Sequence, residues 1–270
     1  HAYIVTRTDS TYDYCQLQFT KGVSTREEQE EMLSSAALNQ LIGALTSSQN
    51  KVVESSSVVA ENSATLMVVE ALELLIEDRV GAVFLDVDGT VSTPSELTPG
   101  SVLPGSFNPL HRGHLELASA ARRKIGGDVY LELSLKNVEK PALSYAAVLE
   151  RLDGLRQFPV VLTKAATFVE KVGLFPGSCF VLGYDTATRL FNPRYYNDGI
   201  AGVDTALHFF AEKRIRFLVA GRVDEGCFKT LKDLPVPRKY AGLFTGLDEV
   251  DFRSDLRSTD LRNDRPTDHQ

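Results

Sequence analysis

The spacing of apolar and polar positions changes twice along the chain. Ala2–Arg7 and Asp13–Phe19 alternate in part and are rich in Tyr, Val and Ile, which predicts two short strands. Met32, Leu33, Ala36, Leu38, Leu41, Ile42 and Leu45 then fall mainly on one helical stripe. Ser24, with Glu27 three residues on, predicts the reciprocal capping box that would open this helix. Residues 46–57, rich in Ser, Thr, Asn and Gln, read as a connector. A second helix is expected over Thr65–Ile76 and an apolar strand over Gly81–Val87. Ser, Thr, Pro and Gly at 92–100 mark a boundary. The expected organisation is a small α/β segment with its connector over 1–95 and a second domain over 96–270.

From Ser101 onward, strand and helix patterns alternate. Strands are predicted at Val102–Leu103, Val129–Leu135, Val160–Leu162, Cys179–Gly183 and Arg216–Ala220. Helices are predicted at His114–Ile125, Tyr145–Leu155, Ala165–Val172 and Asp204–Lys213. Short apolar strands separated by helices imply an α/β fold, a Rossmann-like parallel sheet with helices on both faces. Such sheets bind ligands beyond the carboxyl ends of their strands.

Composition narrows the function classes. The chain is 43% hydrophobic and 24% charged, the balance of a globular protein. Its net charge is −7, which argues against general nucleic-acid binding, because that needs basic surface to release counterions. The longest apolar runs, such as Val80–Val87, are far shorter than the ~20 residues of a membrane span. Cys15, Cys179 and Cys227 are odd in number and widely separated, with neither zinc spacing nor a disulfide framework. A reducing, intracellular location is expected, the cytoplasm or an organelle such as the mitochondrion.

The chemistry concentrates where the first strand of the alternating region hands over to a helix, in Leu103-Pro104-Gly105-Ser106-Phe107-Asn108-Pro109-Leu110-His111-Arg112-Gly113-His114. Gly105 lets the backbone turn and leaves room for a ligand. Gly113 does the same at the helix start, where free N–H groups and the helix dipole favour phosphate. His111 and His114, three apart at a helix entrance, lie on one face and can address one anion.

This segment resembles the G-S-F-N-P-x-H-x-G-H signature of the HxGH nucleotidylyltransferases, most closely the branch of nicotinate- and nicotinamide-mononucleotide adenylyltransferases. Phe180-Val181-Leu182-Gly183-Tyr184-Asp185 resembles that branch's strand followed by G-x-D. Leu256-Arg257-Ser258-Thr259-Asp260-Leu261-Arg262 resembles its I-S-S-T-x-x-R block. The resemblance implies transfer of an adenylyl group from ATP to a phosphorylated acceptor, nicotinate mononucleotide-like, with release of pyrophosphate. His111 and His114 would be the catalytic pair. Gly105, Ser106, Phe107, Gly113, Gly183 and Asp185 would line the nucleotide site, with Arg222 at a strand end in the ligand-binding position. Ser258 and Thr259 would bind the β- and γ-phosphates and Arg262 would clamp their charge. Magnesium would be carried by the ATP rather than by a protein cage.

Arg257 departs from the family, whose motif has serine there. Leu131-Glu132-Leu133-Ser134, Asn137, Lys140, Arg151 and Asn192-Pro193-x-Tyr195-Tyr196 further resemble a subgroup in which the transferase follows a CinA-like amidase-type domain. Residues 1–45 resemble the tail of that domain, without its serine-containing active segment. An alternative to the enzyme is therefore a catalytically silent transferase fold, an accessory subunit with protein partners in a larger, possibly organellar, assembly. Phe84-Leu85-Asp86-Val87-Asp88-Gly89-Thr90 resembles the nucleophile motif of haloacid-dehalogenase-type phosphatases. It stands too close to the transferase motif for a phosphatase fold to fit, and is read as a strand ending in an Asp-Gly turn.

Overall fold

The computed structural model describes residues 2–7, 12–17, 25–34, 37, 58–59, 63–93, 99–138, 142–224 and 226–253. Strands β1 (Ala2–Arg7) and β2 (Tyr12–Leu17) pair antiparallel, and β2 also pairs with the short β3 (Val58–Val59). Helix α1 covers residues 26–34. Its capping box is built one residue later than expected. Thr25 N–H donates to Glu28 Oε2 at 2.7 Å, and Glu28 N–H donates to Thr25 Oγ1 at 3.3 Å. The predicted stripe beyond residue 37 lies outside the described residues, as do Ser24 and the connector at 46–57.

Next come helix α2 (Ser63–Ile76) and strands β4 (Ala82–Leu85) and β5 (Val91–Ser92). The alternating region follows as β6 (Ser101–Pro104), α3 (Arg112–Ile125), β7 (Val129–Ser134), α4 (Tyr145–Asp153), β8 (Val160–Thr163) and α5 (Phe168–Leu174). It continues with β9 (Cys179–Gly183), α6 (Tyr184–Arg189), α7 (Gly199–Glu212) and β10 (Arg216–Ala220). A small hairpin, β11 (Arg222–Asp224) with β12 (Cys227–Lys229), precedes the last strand, β13 (Phe244–Leu247).

The eight-stranded sheet runs β13-β10-β9-β6-β7-β8-β4-β5. The six strands from β13 to β8 are mutually parallel, the Rossmann-like α/β architecture that the alternation predicts. Chain order advances one way from β6 through β7 to β8, then restarts at β9 on the other side of β6. That reversal opens a crevice between β6 and β9, the place where ligands sit in such sheets.

Alternation along the strands separates two cores. Leu103, Leu131, Leu162, Val181 and Leu218 face one layer, packed on Leu72, Leu117, Ala121 and Val148 of α2, α3 and α4. Val102, Val161, Phe180, Phe217 and Val219 face the other, packed on Val172, Leu207 and Phe210 of α5 and α7. Residues 63–92 join this body directly. β4 runs antiparallel to β8 in register Ala82↔Thr163 to Leu85↔Val160. Leu72, Leu75 and Val83 enter the same core as Leu103. The described residues before and after the expected boundary thus share one hydrogen-bonded sheet and one core.

Two predicted helices begin three or more residues from their expected starts. α5 starts at Phe168, not Ala165, because Thr167 and Glu170 form its capping box. α7 starts at Gly199, five residues before Asp204. β13 carries Thr245 and Gly246 among four residues and gives too short a pattern to predict.

Leu72 is fully buried. We expect Leu72→Ala to lower the urea-unfolding free energy by about 2–5 kcal/mol, the usual result of a core cavity. A change within about 0.5 kcal/mol, the size of a surface effect, would mean that α2 is not part of the core of the eight-stranded sheet.

Candidate active site

Strand β6 leaves the sheet at Pro104, opposite Glu132 of β7, and Gly105 N–H prolongs the ladder by donating to the Glu132 carbonyl at 3.0 Å. A Cβ on Gly105 would lie 2.6 Å from the Phe107 ring, so glycine is what lets that ring fold back beneath the loop. Phe107 takes a φ of 43° and is buried, with its ring edge-on to His114 at 5.1 Å between centroids. The motif reading set Phe107 among the ligand contacts. The structure places it behind the histidines, in the core. Arg151 of α4 fastens the loop from outside, its Nη1 donating to the Ser106 carbonyl at 3.1 Å.

His111 caps α3 and His114 lies in its first turn, so the helix begins two residues before the predicted start. The two ring centroids are 3.8 Å apart and the planes 31° from parallel. The His111 N–H donates to His114 Nδ1 at 3.3 Å. A neutral His114 with an accepting Nδ1 carries its proton on Nε2, which leaves that nitrogen as a donor. Burial, and then the neighbouring imidazole, push His114 down from its ordinary 6.5 to about 4. Burial also lowers His111. Both rings are therefore neutral hydrogen-bonding groups at pH 7.

A cavity of about 680 Å³ opens at the carboxyl edge of the sheet. Gly105, Ser106, His111, Gly113 and His114 line it from the β6–α3 turn. Gly183 at the end of β9, Asp185 just after it, and Arg222, after β10, line the facing side. Asp185 and Arg222 are ion-paired across these two strand ends. A Cβ on Gly221 would lie 2.7 Å from the Lys229 carbonyl, so the β11–β12 hairpin folds down closely beside Arg222. Ser258, Thr259, Arg262 and Arg257 lie outside the described residues, as does Lys140. The described chain leads toward them from the cavity itself, since Phe252 is part of the lining. Arg123 and Lys124 at the end of α3 hold that approach. Arg123 Nη2 donates to the Asp251 carbonyl at 3.3 Å, and Lys124 Nζ lies 3.5 Å from the Asp251 carboxylate.

Three charged lining residues were not singled out from the sequence, Lys136, Lys171 and Arg189, and Glu132 entered only within a resemblance block, with no role of its own. With Arg151, Arg222 and Asp185, the lining holds five Lys or Arg side chains against two carboxylates. An excess of three positive charges thus gathers in one cavity of a chain whose net charge is −7. Glu132 had a legible signal, a carboxylate between Leu131 and Leu133 of an apolar strand. Lys171 had a weaker one, a cation next to Val172 on the buried side of a helix.

Asp86 and Asp88 sit elsewhere. β4 runs against its neighbour β8, so its end reaches the amino edge of the parallel strands, opposite the histidines. There, Asp86 N–H donates to the Thr90 carbonyl at 2.9 Å, and Thr90 N–H donates to Asp88 Oδ1 at 2.9 Å. Tyr130, at the start of β7, donates to Asp86 Oδ1 at 3.1 Å. This is the side-chain-braced turn that the Asp-Gly pair predicts.

The fold and the cleft at its reversal point define a Rossmann-like nucleotidyltransferase domain. The cytidylyltransferase-like family matches residues 102–263, more than half of the chain, and the chain belongs to that family. Among solved structures, the chain is similar to Plasmodium falciparum nicotinic acid mononucleotide adenylyltransferase complexed with NaAD. The identity is 12%, over 64% of this chain and 87% of that chain, with a TM-score of 0.39. None of the curated proteins matches. No helix among the described residues is long and apolar enough to cross a membrane.

The His114 shift fixes a pH dependence. A histidine whose folded pKa lies below its unfolded value binds fewer protons when folded, so its contribution to stability is lost as pH falls from 6.5 toward about 4. In urea melts across that window, wild type should lose stability more steeply than His114→Asn, by up to about 1.4 kcal/mol per pH unit for the one proton. Parallel pH profiles would show that His114 titrates as an ordinary exposed imidazole. Asp86→Asn, at the opposite edge, should leave any affinity for MgATP that the chain has within about twofold in a calorimetric titration, well under 1 kcal/mol.

Proposed function

We propose that the chain is an adenylyltransferase that joins ATP to a phosphorylated, nicotinate mononucleotide-like acceptor and releases pyrophosphate. The observation that carries this reading is the paired, neutral imidazoles of His111 and His114 at the carboxyl edge of the sheet, in a cavity with surplus positive charge. Two anionic substrates brought together need that surplus, because each phosphate repels the other.

In the proposed reaction, a phosphate oxygen of the acceptor attacks the α-phosphorus of ATP. The new P–O bond forms as the bond to the bridging oxygen breaks, and that oxygen leaves on pyrophosphate. No protein nucleophile is involved, so catalysis is positioning and charge stabilisation. His114 Nε2–H donates toward the transferring phosphate. His111, beside it, extends the same donor surface. Arg222 is held ready by Asp185 at the end of β10. Ser258, Thr259 and Arg262 supply the β- and γ-phosphate contacts. Of the cavity's two carboxylates, Glu132 is paired with Lys171 and Asp185 with Arg222. This donor set suits a magnesium ion carried by the triphosphate, where it offsets the charge of the phosphate oxygens.

Tyr184, Tyr195 and Tyr196 give one side of the cavity an aromatic lining suited to a flat base. The Tyr196 hydroxyl donates to the Leu190 carbonyl at 2.9 Å, and burial pushes its pKa up to about 12, so it acts as a fixed neutral wall. On the same resemblance, residues 1–45 are proposed to be CinA-like, with no amidase activity carried over.

The test is pyrophosphate release from MgATP in the presence of nicotinic acid mononucleotide. We expect release only when both are present, and a loss of about 10²–10³-fold in rate for His114→Ala, the usual result of removing one preorganised donor. Arg257 favours a second reading, a silent fold, and Arg257→Ser separates the two. Activity that appears only in the variant would show that the natural chain is silenced. MgATP that fails to raise the melting temperature of either form would remove the nucleotide site altogether.

A further inference from the structure

Glu132 and Lys171 form an ion pair in the cavity floor, with 1% and 8% of their side chains exposed. Lys171 Nζ lies 2.6 Å and 2.8 Å from the two Glu132 oxygens and donates its third hydrogen bond to the Ala165 carbonyl at 2.8 Å. All three ammonium protons are therefore used, and toward a ligand the pair is electrically self-contained. Its reach is instead into the turn between β8 and α5. Thr163 Oγ1 donates to Glu132 Oε1 at 2.6 Å and accepts from Ala165 N–H at 3.2 Å. Ser134 Oγ adds a second bond to the Ala165 carbonyl at 2.7 Å. Both polar groups of the Ala165 backbone are thus fixed from below. The next residues, Ala166, Thr167 and Phe168, line the cavity.

Burying two charges is a costly way to hold a turn. An apolar pair of similar volume often stabilises a fold as well or better. What an ion pair with this hydrogen-bond set adds is a defined position for the backbone that it grips. On the proposed reading, the triphosphate lies between the His111–His114 pair and Arg222, on the β9–β10 side of the reversal point. The β7–β8 side is left for the second substrate, and the β8–α5 turn is its wall.

We propose that Glu132 and Lys171 are positioning residues for the acceptor, which set the β8–α5 turn against it without touching it. This rests on the adenylyltransferase reading, and the test separates the two. The double variant Glu132→Leu with Lys171→Met replaces the pair by apolar groups of similar size. It takes the Lys171 bond from the Ala165 carbonyl and the Glu132 acceptor from Thr163, which loosens the turn, but it strands no buried charge, so the full chain should fold with a melting temperature near that of wild type. Lys171→Met alone strands a buried carboxylate and should lose about 10 °C.

In calorimetry with MgATP and with nicotinic acid mononucleotide as separate probes, the double variant should hold its ATP affinity within about twofold. Its mononucleotide affinity should fall about 10–100-fold, the scale seen when the groups that orient a site are removed. Unchanged affinity for both, or an equal loss for both, overturns the positioning role. A wild-type chain that takes MgATP but not the mononucleotide also overturns it, since no acceptor would meet that wall. A wild-type chain that takes neither overturns the parent reading.

Discussion

Strand β6 is the constraint on which the carboxyl edge depends. It is hydrogen-bonded to β7 on one side and β9 on the other, and Val102 and Leu103 are buried on opposite faces. A strand held on four sides cannot slip by one residue without turning its side chains to the wrong core. Its register therefore fixes where the chain leaves the sheet, at Pro104 and Gly105, and hence where the histidines arrive. Phe107 secures the same result from below. Its buried ring occupies the space left by Gly105 and supports His114.

The site's electrostatics follow from that packing. The same burial that anchors α3 removes water from the two imidazoles and keeps them uncharged. Cationic character comes instead from side chains around the rim: Lys136 after β7, Arg151 on α4, Arg189 on α6 and Arg222 past the end of β10. Such a division suits a polyanion: fixed charge attracts it, and neutral donors at the centre bind phosphate oxygens with little reorganisation. The acidic remainder of the surface sharpens the contrast, since the positive region is local rather than global.

The parallel sheet was legible because its strands are short apolar runs between amphipathic helices, a pattern that leaves few alternatives. The histidine turn was legible because its glycines and paired imidazoles stand together within ten residues of sequence. The Glu132–Lys171 pair was not. Its partners are 39 residues apart, and each alone looks like an exception within an apolar element. The direction of β4 was also hidden, since an apolar strand of four residues carries no sign of whether it will pair parallel or antiparallel. The β11–β12 hairpin escaped for a related reason: its two strands of three residues are too short to show a period.

β4 has one more consequence, which concerns the order of synthesis. Its antiparallel partner β8 is encoded about 80 residues downstream, beyond β6, α3, β7 and α4. At about 5–20 residues per second, a ribosome takes about 4–16 s to produce that partner. During this interval Val83 and Phe84, both destined for the interior, have only the neighbouring β5 ribbon and α2 to shelter them. The short β4–β5 ribbon is closed at Asp86–Thr90 by hydrogen bonds within the turn itself, so its pairing can begin before β7 and β8 exist. It keeps an apolar edge occupied on the nascent chain until the sheet grows out to meet it.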